Sequence, residues 1–238
     1  MLGRIFRKIC SIISPLPELE KVFLNLNKEK ETIFFVQVGS NDGVGGDPLH
    51  DIIVKNKKWR GIFIEPVDYL FERLVKNYGN EDRFIFEKKA ISTGRGTADY
   101  FYVSEKAKEG LDDALPFWYD QLGSFNRNHI IEHLDGILEP YIVTESIETF
   151  PLQDILDKNG VKDIDVLHID TEGHDYKVLS SFNISKYLPS IILFEHDFLS
   201  QIERKLANSL LKKNGYHCFH YIGDTLALNK RKSIFSSR

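Results

Sequence analysis

The 238-residue chain has only two cysteines, Cys10 and Cys218, far apart and without the close spacing of metal-binding pairs. A disulfide-built fold and a cysteine zinc module are thereby excluded, and reduced thiols in a cytoplasmic protein are the expectation. No apolar run approaches the ~18 residues that a membrane span requires. Lys and Arg (31) do not outnumber Asp and Glu (35), and a net charge of −4 supplies no broad basic field. A nucleic-acid partner is therefore not expected. Internal repeats and low-complexity tracts are absent, and so is the G-x-G-x-x-G pattern of dinucleotide-binding loops.

The first residues lack the marks of a signal peptide. Arg4, Arg7 and Lys8 interrupt the apolar positions up to Ile13, and Pro15 and Pro17 stand where a small-residue cleavage site would be. A short basic amphipathic helix fits this pattern. It would pack on the domain or lie peripherally on an anionic membrane surface, with packing favoured. The Asn183-Ile184-Ser185 sequon has meaning only in an exported chain.

What is present is a regular alternation of strand and helix patterns. Ile33–Val38 reads as a buried strand that runs into Gly39-Ser40-Asn41-Asp42-Gly43. Asp47-Pro48 then offers an N-cap and first-turn proline for a helix to about Asn56. Gly61–Ile64 is a second strand, 68–77 a helix stopped by Gly79, 83–91 a third strand and 98–103 an extra one. After an irregular insert at 104–140, with a short helix around 127–134, the alternation resumes. Strands are expected at 141–147, 164–169 and 191–195, and helices at 152–159, 175–182 and 202–213. The last helix is expected to bury Ile202, Leu206, Leu210 and Leu211, and 216–221 with 225–228 form an antiparallel pair. The pattern predicts an α/β domain with a mostly parallel, doubly wound sheet. The expected organisation is an N-terminal arm (1–31), a domain at 32–229 and a basic solvated tail (230–238).

Ligands of such sheets sit beyond the carboxyl ends of the strands. Here those ends carry Gln37–Gly43, Glu65, Ala90-Ile91-Ser92, Asp170-Thr171-Glu172 and Glu195-His196-Asp197. Glu65 stands twenty-two residues after Gly43, at the spacing of an acid that takes the two hydroxyls of a ribose. In Gly39-x-x-x-Gly43, Asn41 occupies the place of the middle glycine, and Asp42 follows it. Such a loop is a poor host for a pyrophosphate. It suits a sulfonium cofactor with an amino-acid tail, and S-adenosyl-L-methionine fits better than NAD.

The string Val36-Gln37-Val38-Gly39-Ser40-Asn41-Asp42-Gly43, with Asp47-Pro48-Leu49, Trp59-Arg60-Gly61 and Phe63-Ile64-Glu65-Pro66, closely resembles the FkbM family of methyltransferases. Leu167-His168-Ile169-Asp170-Thr171-Glu172-Gly173-His174-Asp175 is similar to that family's second hallmark, an apolar strand entering an Asp-x-Glu-Gly turn. The resemblance spans roughly residues 32–229 and departs at Gln37, where many members carry an acid. It implies a Rossmann-like class I methyltransferase that uses S-adenosyl-L-methionine, usually on a hydroxyl of a sugar or polyketide-like acceptor. Gln37, Gly39, Ser40, Asn41, Gly43 and Glu65 are then the expected cofactor contacts, with Ala90, Ile91 and Ser92 beside the adenine.

Methyl transfer from a sulfonium demands alignment of acceptor oxygen, methyl and sulfur, and a group to receive the acceptor's proton. Asp170, Glu172, His174 and His196 are the candidates. They and their neighbours on adjacent strand ends would serve as base and orienter, or as ligands of a hard divalent cation such as Mg²⁺. No residue is assigned as a metal ligand on sequence grounds. His168, inside a strand, reads as a core histidine. Phe117, Trp118, Tyr119 and Phe125 in the insert would stack on a glycan or small-molecule acceptor, or form a satellite core. Besides a nicotinamide enzyme, which the missing middle glycine disfavours, two rivals stand beside this reading. One is a scaffold domain that keeps the fold without the chemistry. The other is a zinc hydrolase using His129, Glu132 and His133, which match H-x-x-E-H.

Overall fold

A computed structural model describes residues 16–79, 81–111 and 115–232. A seven-stranded sheet forms its centre, built from β1 (Ile33–Val38), β2 (Trp59–Ile64), β3 (Phe84–Glu87), β7 (Val166–Ile169), β8 (Ile191–Glu195), β9 (Tyr216–His220) and β10 (Asp224–Asn229). Its order is β3-β2-β1-β7-β8-β10-β9, parallel except for β10, which lies antiparallel between β8 and β9. This is the mostly parallel Rossmann-like sheet with a C-terminal antiparallel pair that the alternation predicts.

Side chains of β1 alternate between two cores, as the twofold period of a strand requires. Val36 and Val38 join Ile62, Ile64, Leu167, Ile169 and Ile192 on one face. Ile33 and Phe35 join Trp59, Phe63, Val166 and Leu193 on the other. Burial on both faces explains why these strands read as continuous apolar runs. The helices around them are α1 (Leu19–Glu29), α2 (His50–Lys55), α3 (Asp68–Tyr78), α6 (Leu152–Lys158), α7 (Asp175–Ser180), α8 (Ile184–Tyr187) and α9 (Gln201–Lys213).

A second sheet has the order β4-β6-β5, from β4 (Ala90–Ile91), β5 (Gly96–Val103) and β6 (Ile142–Phe150). Two expectations are corrected here. The strand expected at 83–91 is two strands in different sheets, because the chain bends where the Lys89 amide returns to the Glu87 carbonyl, and β4 then pairs with Thr149 and Phe150. The strand expected at 141–147 belongs not to the main sheet but to a long antiparallel pairing with β5. Between them the insert forms α4 (Lys106–Leu111), α5 (Arg127–Ile131) and two short 3-10 turns.

Three further differences have local causes. Helix α2 begins at His50, three residues after Asp47, whose carboxylate accepts the Leu49 amide and holds a turn ahead of the helix. Helix α9 buries Ala207 and Leu211 and leaves Ile202 71% exposed, so its inward face is rotated from the expected one. The arm beyond Leu19 is part of the domain, because α1 inserts Val22, Phe23 and Leu26 into the second core. The basic segment expected to form an amphipathic helix lies outside the described residues, as do the tail serines. Lys230 and Arg231 are tied by their amides to Gly215 and Asn229, so the start of the tail is docked on the domain. No helix among the described residues is long and apolar enough to cross a membrane.

The loop after β1 approaches the end of β7 so closely that a Cβ on Gly39, at φ +76°, would be driven into the Asp170 carbonyl oxygen. Gly39→Ala should therefore lower the unfolding free energy by about 2–5 kcal/mol, from backbone strain and overpacking together. Urea denaturation of the two proteins measures this, and equal midpoints would contradict it.

Candidate active site

Register places the site. Val38 pairs with Ile64 on one side and with Ile169 on the other, and Ile169 pairs with Phe194. The residues one step further, Gly39, Glu65, Asp170 and Glu195, therefore leave the sheet as one row.

The first part of the site is the turn after β1. The amides of Gly39 and Ser40 both donate to the Ile64 carbonyl, at 3.0 and 3.1 Å. Asn41 takes a left-handed φ of 48° and Gly43 one of 73°. Glu65 clasps this turn, its Oε2 accepting the Asn41 amide and its Oε1 the Val67 amide, both at 2.9 Å. Burial pushes the Glu65 carboxyl up to about 7 against these two stabilising bonds. Ser40 is buried, and its hydroxyl donates to the Gln37 carbonyl at 3.2 Å. Gln37 is buried too; its Nε2 lies 3.0 Å from His168 Nδ1, while its Oε1 has no partner. His168 is thus a buried, hydrogen-bonded core residue, and burial lowers it to about 4.

Asp47 joins this region and escaped the sequence reading, which treated it only as a cap. Burial raises it to about 6, and Tyr78 donates to it at 3.4 Å. Nothing in its local pattern distinguishes it from an ordinary Asp-Pro cap.

The second part is acidic. One carboxylate oxygen each from Asp170, Glu172 and Glu195 fall within 4.8 Å of one another. Glu172 has φ 50° and is followed by Gly173 at φ 91°, so the turn after β7 is left-handed at two successive residues. Asp175, fully buried, braces both strand ends: Oδ2 accepts the Thr171 hydroxyl at 3.0 Å and Oδ1 accepts the Glu195 amide at 3.2 Å. From the insert, the Ser124 hydroxyl donates to the Glu172 carbonyl at 2.9 Å. Burial raises Glu172 to about 7. Burial, then the charges of Glu172 and Asp170, raise Glu195 to about 10. Asp170 is raised well above the usual carboxylate range by burial and by Glu172.

His129 enters this cluster from α5. Its ring is 5% exposed and its Nε2 stands 2.7 Å from Glu172 Oε2. The approach is off the line of a hydrogen bond, so both buried atoms lack one. The zinc reading of H-x-x-E-H does not fit this arrangement. His133 Nδ1 is turned back to the His129 carbonyl at 2.7 Å, and the acidic trio is the only metal-sized ligand group among the described residues. The motif's real signal was a histidine on a short helix, which tertiary packing directs at Glu172.

The other expected residues lie apart from the trio. His174 Nε2 is 3.0 Å from the Ser92 hydroxyl, and its ring packs on Phe125 at 4.3 Å. Burial holds His174 down at about 4. His196 Nδ1 pairs with the Thr225 hydroxyl at 3.0 Å. Neither imidazole is brought to the carboxylates. Ala90 and Ile91 are buried in the second sheet, and the Ser92 amide donates to the Phe150 carbonyl at 2.8 Å.

In the insert, Tyr119 with Leu122, Ile130 and Leu138 forms a small core against Val103 and Ala107, and Trp118 packs beside it. Phe117 is 73% exposed. Phe125 packs edge-on against Tyr100 at 5.0 Å. Tyr100, unremarked in the sequence, has its hydroxyl beside Gly123, and burial with the nearby Glu65 and Glu172 raises it well above the phenol range. No local pattern singles it out, because Tyr100-Phe101-Tyr102-Val103 is a continuous apolar run.

The sequence model of the methyltransferase FkbM domain matches residues 37–218, well over half of the chain, and the chain belongs to this family. A search of curated proteins finds no match. Among solved structures, the chain is similar to the Methanococcus jannaschii fibrillarin pre-rRNA processing protein at 11% identity and a TM-score of 0.39, covering 83% of this chain and 66% of that one. A chain from the crystal structure of a fibrillarin/Nop5p complex is similar at 12% identity and a TM-score of 0.38, covering 83% of this chain and 72% of that one.

The raised Glu65 has a signed consequence. A carboxyl whose folded value exceeds its unfolded one stabilises the fold below the unfolded value and loses that contribution as pH rises through the folded one. Between pH 4.5 and about 7, wild type should therefore lose stability relative to Glu65→Gln, by roughly 1–3 kcal/mol across the window. Urea melts of both proteins at several pH values check this; parallel curves would refute it.

Proposed function

We propose that this methyltransferase uses S-adenosyl-L-methionine to methylate a hydroxyl oxygen of a sugar, glycan or related acceptor. The observation that carries the proposal is the row of Gly39, Glu65, Asp170 and Glu195, which joins a glycine turn to a cluster of half-buried acids at one end of the sheet. The residues present suit the cofactor. Gly39 keeps the turn free of a side chain, Glu65 lies beside that turn where it would grip a ribose, and Gln37 Oε1 is a buried acceptor without a donor. An ammonium group is such a donor. The bound cofactor supplies an electrophilic methyl group carried on sulfur.

The chain's own contribution is to hold the acceptor and receive its proton. Asp170, Glu172 and Glu195 face the acceptor hydroxyls, and this carboxylate cluster, with His129 beside Glu172 at 2.7 Å, receives the proton. The insert is pinned to this corner by the Ser124 hydroxyl on the Glu172 carbonyl. Family membership favours oxygen as the nucleophile; glycan, lipid-linked sugar, polyketide and small phenol are the acceptors to compare. A cytoplasmic location goes with this reading, with membrane contact through the N-terminal segment as the less favoured alternative to packing on the domain.

Calorimetric titration with S-adenosylhomocysteine should show one site per chain, weakened at least about tenfold, or 1.4 kcal/mol, in Glu65→Ala. An absence of heat and of thermal shift in wild type would favour a scaffold instead. Asp170→Asn should retain binding more than turnover. Mass spectrometry of host surface glycans, with and without the protein, should reveal a lost methyl group.

A further inference from the structure

We propose that Asp170, Glu172 and Glu195 form a binding site for one hard divalent cation, Mg²⁺ or Mn²⁺, with His129 holding Glu172 in its ligating orientation. The spacing is the first argument. The three oxygens lie within 4.8 Å of one another, whereas oxygens around one such ion stand about 3–4 Å apart at metal–oxygen distances near 2.1 Å. Small side-chain adjustments close the difference. All the offered ligands are carboxylate oxygens, the donor type that selects hard cations over zinc or copper.

An acidic cluster alone is only an electrostatic liability, and two independent features point to a ligand. Glu195 Oε2 and Glu172 Oε2 are buried without a hydrogen-bond partner. Buried polar atoms are rarely left so, and these sit where like charges already repel. In addition, the His129 ring is 5% exposed, and its Nε2 is buried, unpartnered and aimed at Glu172 Oε2 from 2.7 Å. Ligating carboxylates are characteristically oriented by such outer partners. The surroundings are also rigid: Asp175 ties Thr171 to the Glu195 amide, and Ser124 ties the insert to Glu172. The left-handed Glu172-Gly173 turn then directs the Glu172 carboxylate back across the strand ends toward Asp170 and Glu195.

The site lies at the ends of β7 and β8, on the row that also carries Gly39 and Glu65. A cation there would bind acceptor oxygens and lower the acidity barrier of the hydroxyl that is methylated. That role rests on the proposed methyltransferase chemistry, whereas cation binding itself rests on the geometry. The acceptor class is narrowed accordingly, to molecules that present two neighbouring oxygens, such as vicinal diols.

Titration of the full-length protein with Mn²⁺, read by electron paramagnetic resonance at ~150 mM salt, where exposed charge pairs are screened, should show one saturable site per chain displaced by Mg²⁺. Glu195→Gln should weaken it at least tenfold, and His129→Ala measurably, while S-adenosylhomocysteine binding persists in Glu195→Gln as proof of folding. Wild type without a one-per-chain Mn²⁺ site, with or without S-adenosylhomocysteine, overturns the proposal. So does Mn²⁺ affinity unchanged in a Glu195→Gln protein that still binds S-adenosylhomocysteine. A wild type that binds Mn²⁺ but not S-adenosylhomocysteine would overturn the methyltransferase chemistry and leave the cation site standing.

Discussion

Four parallel strands end at the same level because their side chains interlock in two cores, and every feature of the site depends on that shared register. A slip of one residue in any strand would turn its apolar set from one core to the other. It would also remove one member from the row of Gly39, Glu65, Asp170 and Glu195. Packing energy therefore protects the geometry of polar groups that gain little from folding themselves.

Those polar groups are a burden on stability. Glu65, Glu172 and Glu195 are all shifted toward the neutral acid by burial, which means that the charged forms are disfavoured where they stand. The fold tolerates them because each is held by something rigid. Glu65 accepts the Val67 amide of its own turn and the Asn41 amide of the turn after β1, and Asp175 locks the segments that carry the trio. Strain at Glu172 has the same character, with left-handed backbone imposed on a residue that ordinarily avoids it, whereas Asn41 is of a type that tolerates it. Clustering of burial, strain and like charge at one edge of the sheet is what a functional site looks like in physical terms.

The insert adds a third layer. It carries its own small core, so it holds its shape without drawing on the main sheet. Through Ser124, Phe125 and His129 it reaches back to Glu172 and His174. Its aromatic residues divide accordingly: Tyr119 and Trp118 serve the local core, Phe125 covers His174, and Phe117 faces solvent. The satellite-core alternative therefore holds for two of the four, Trp118 and Tyr119.

Local sequence was sufficient for the elements whose cause is local. The apolar runs of β1, β2, β7 and β8, the glycine after Val38, the acid after Ile64 and the Asp-x-Glu-Gly turn are all legible in order, because strand periodicity and turn chemistry act over a few residues. The separate pairing of β5 with β6 was not legible, nor was the inward turn of Ala207 in place of Ile202, since partners distant in the chain decide both. The same is true of the site. The candidates Asp170 and Glu172 could be named from one motif and Glu195 placed on the neighbouring strand end, but the convergence of Glu172 and Glu195 with His129 could not. Those three come from segments whose distance is set only when the sheet closes and the insert docks, and side-chain convergence of that kind is a property of the packed molecule alone.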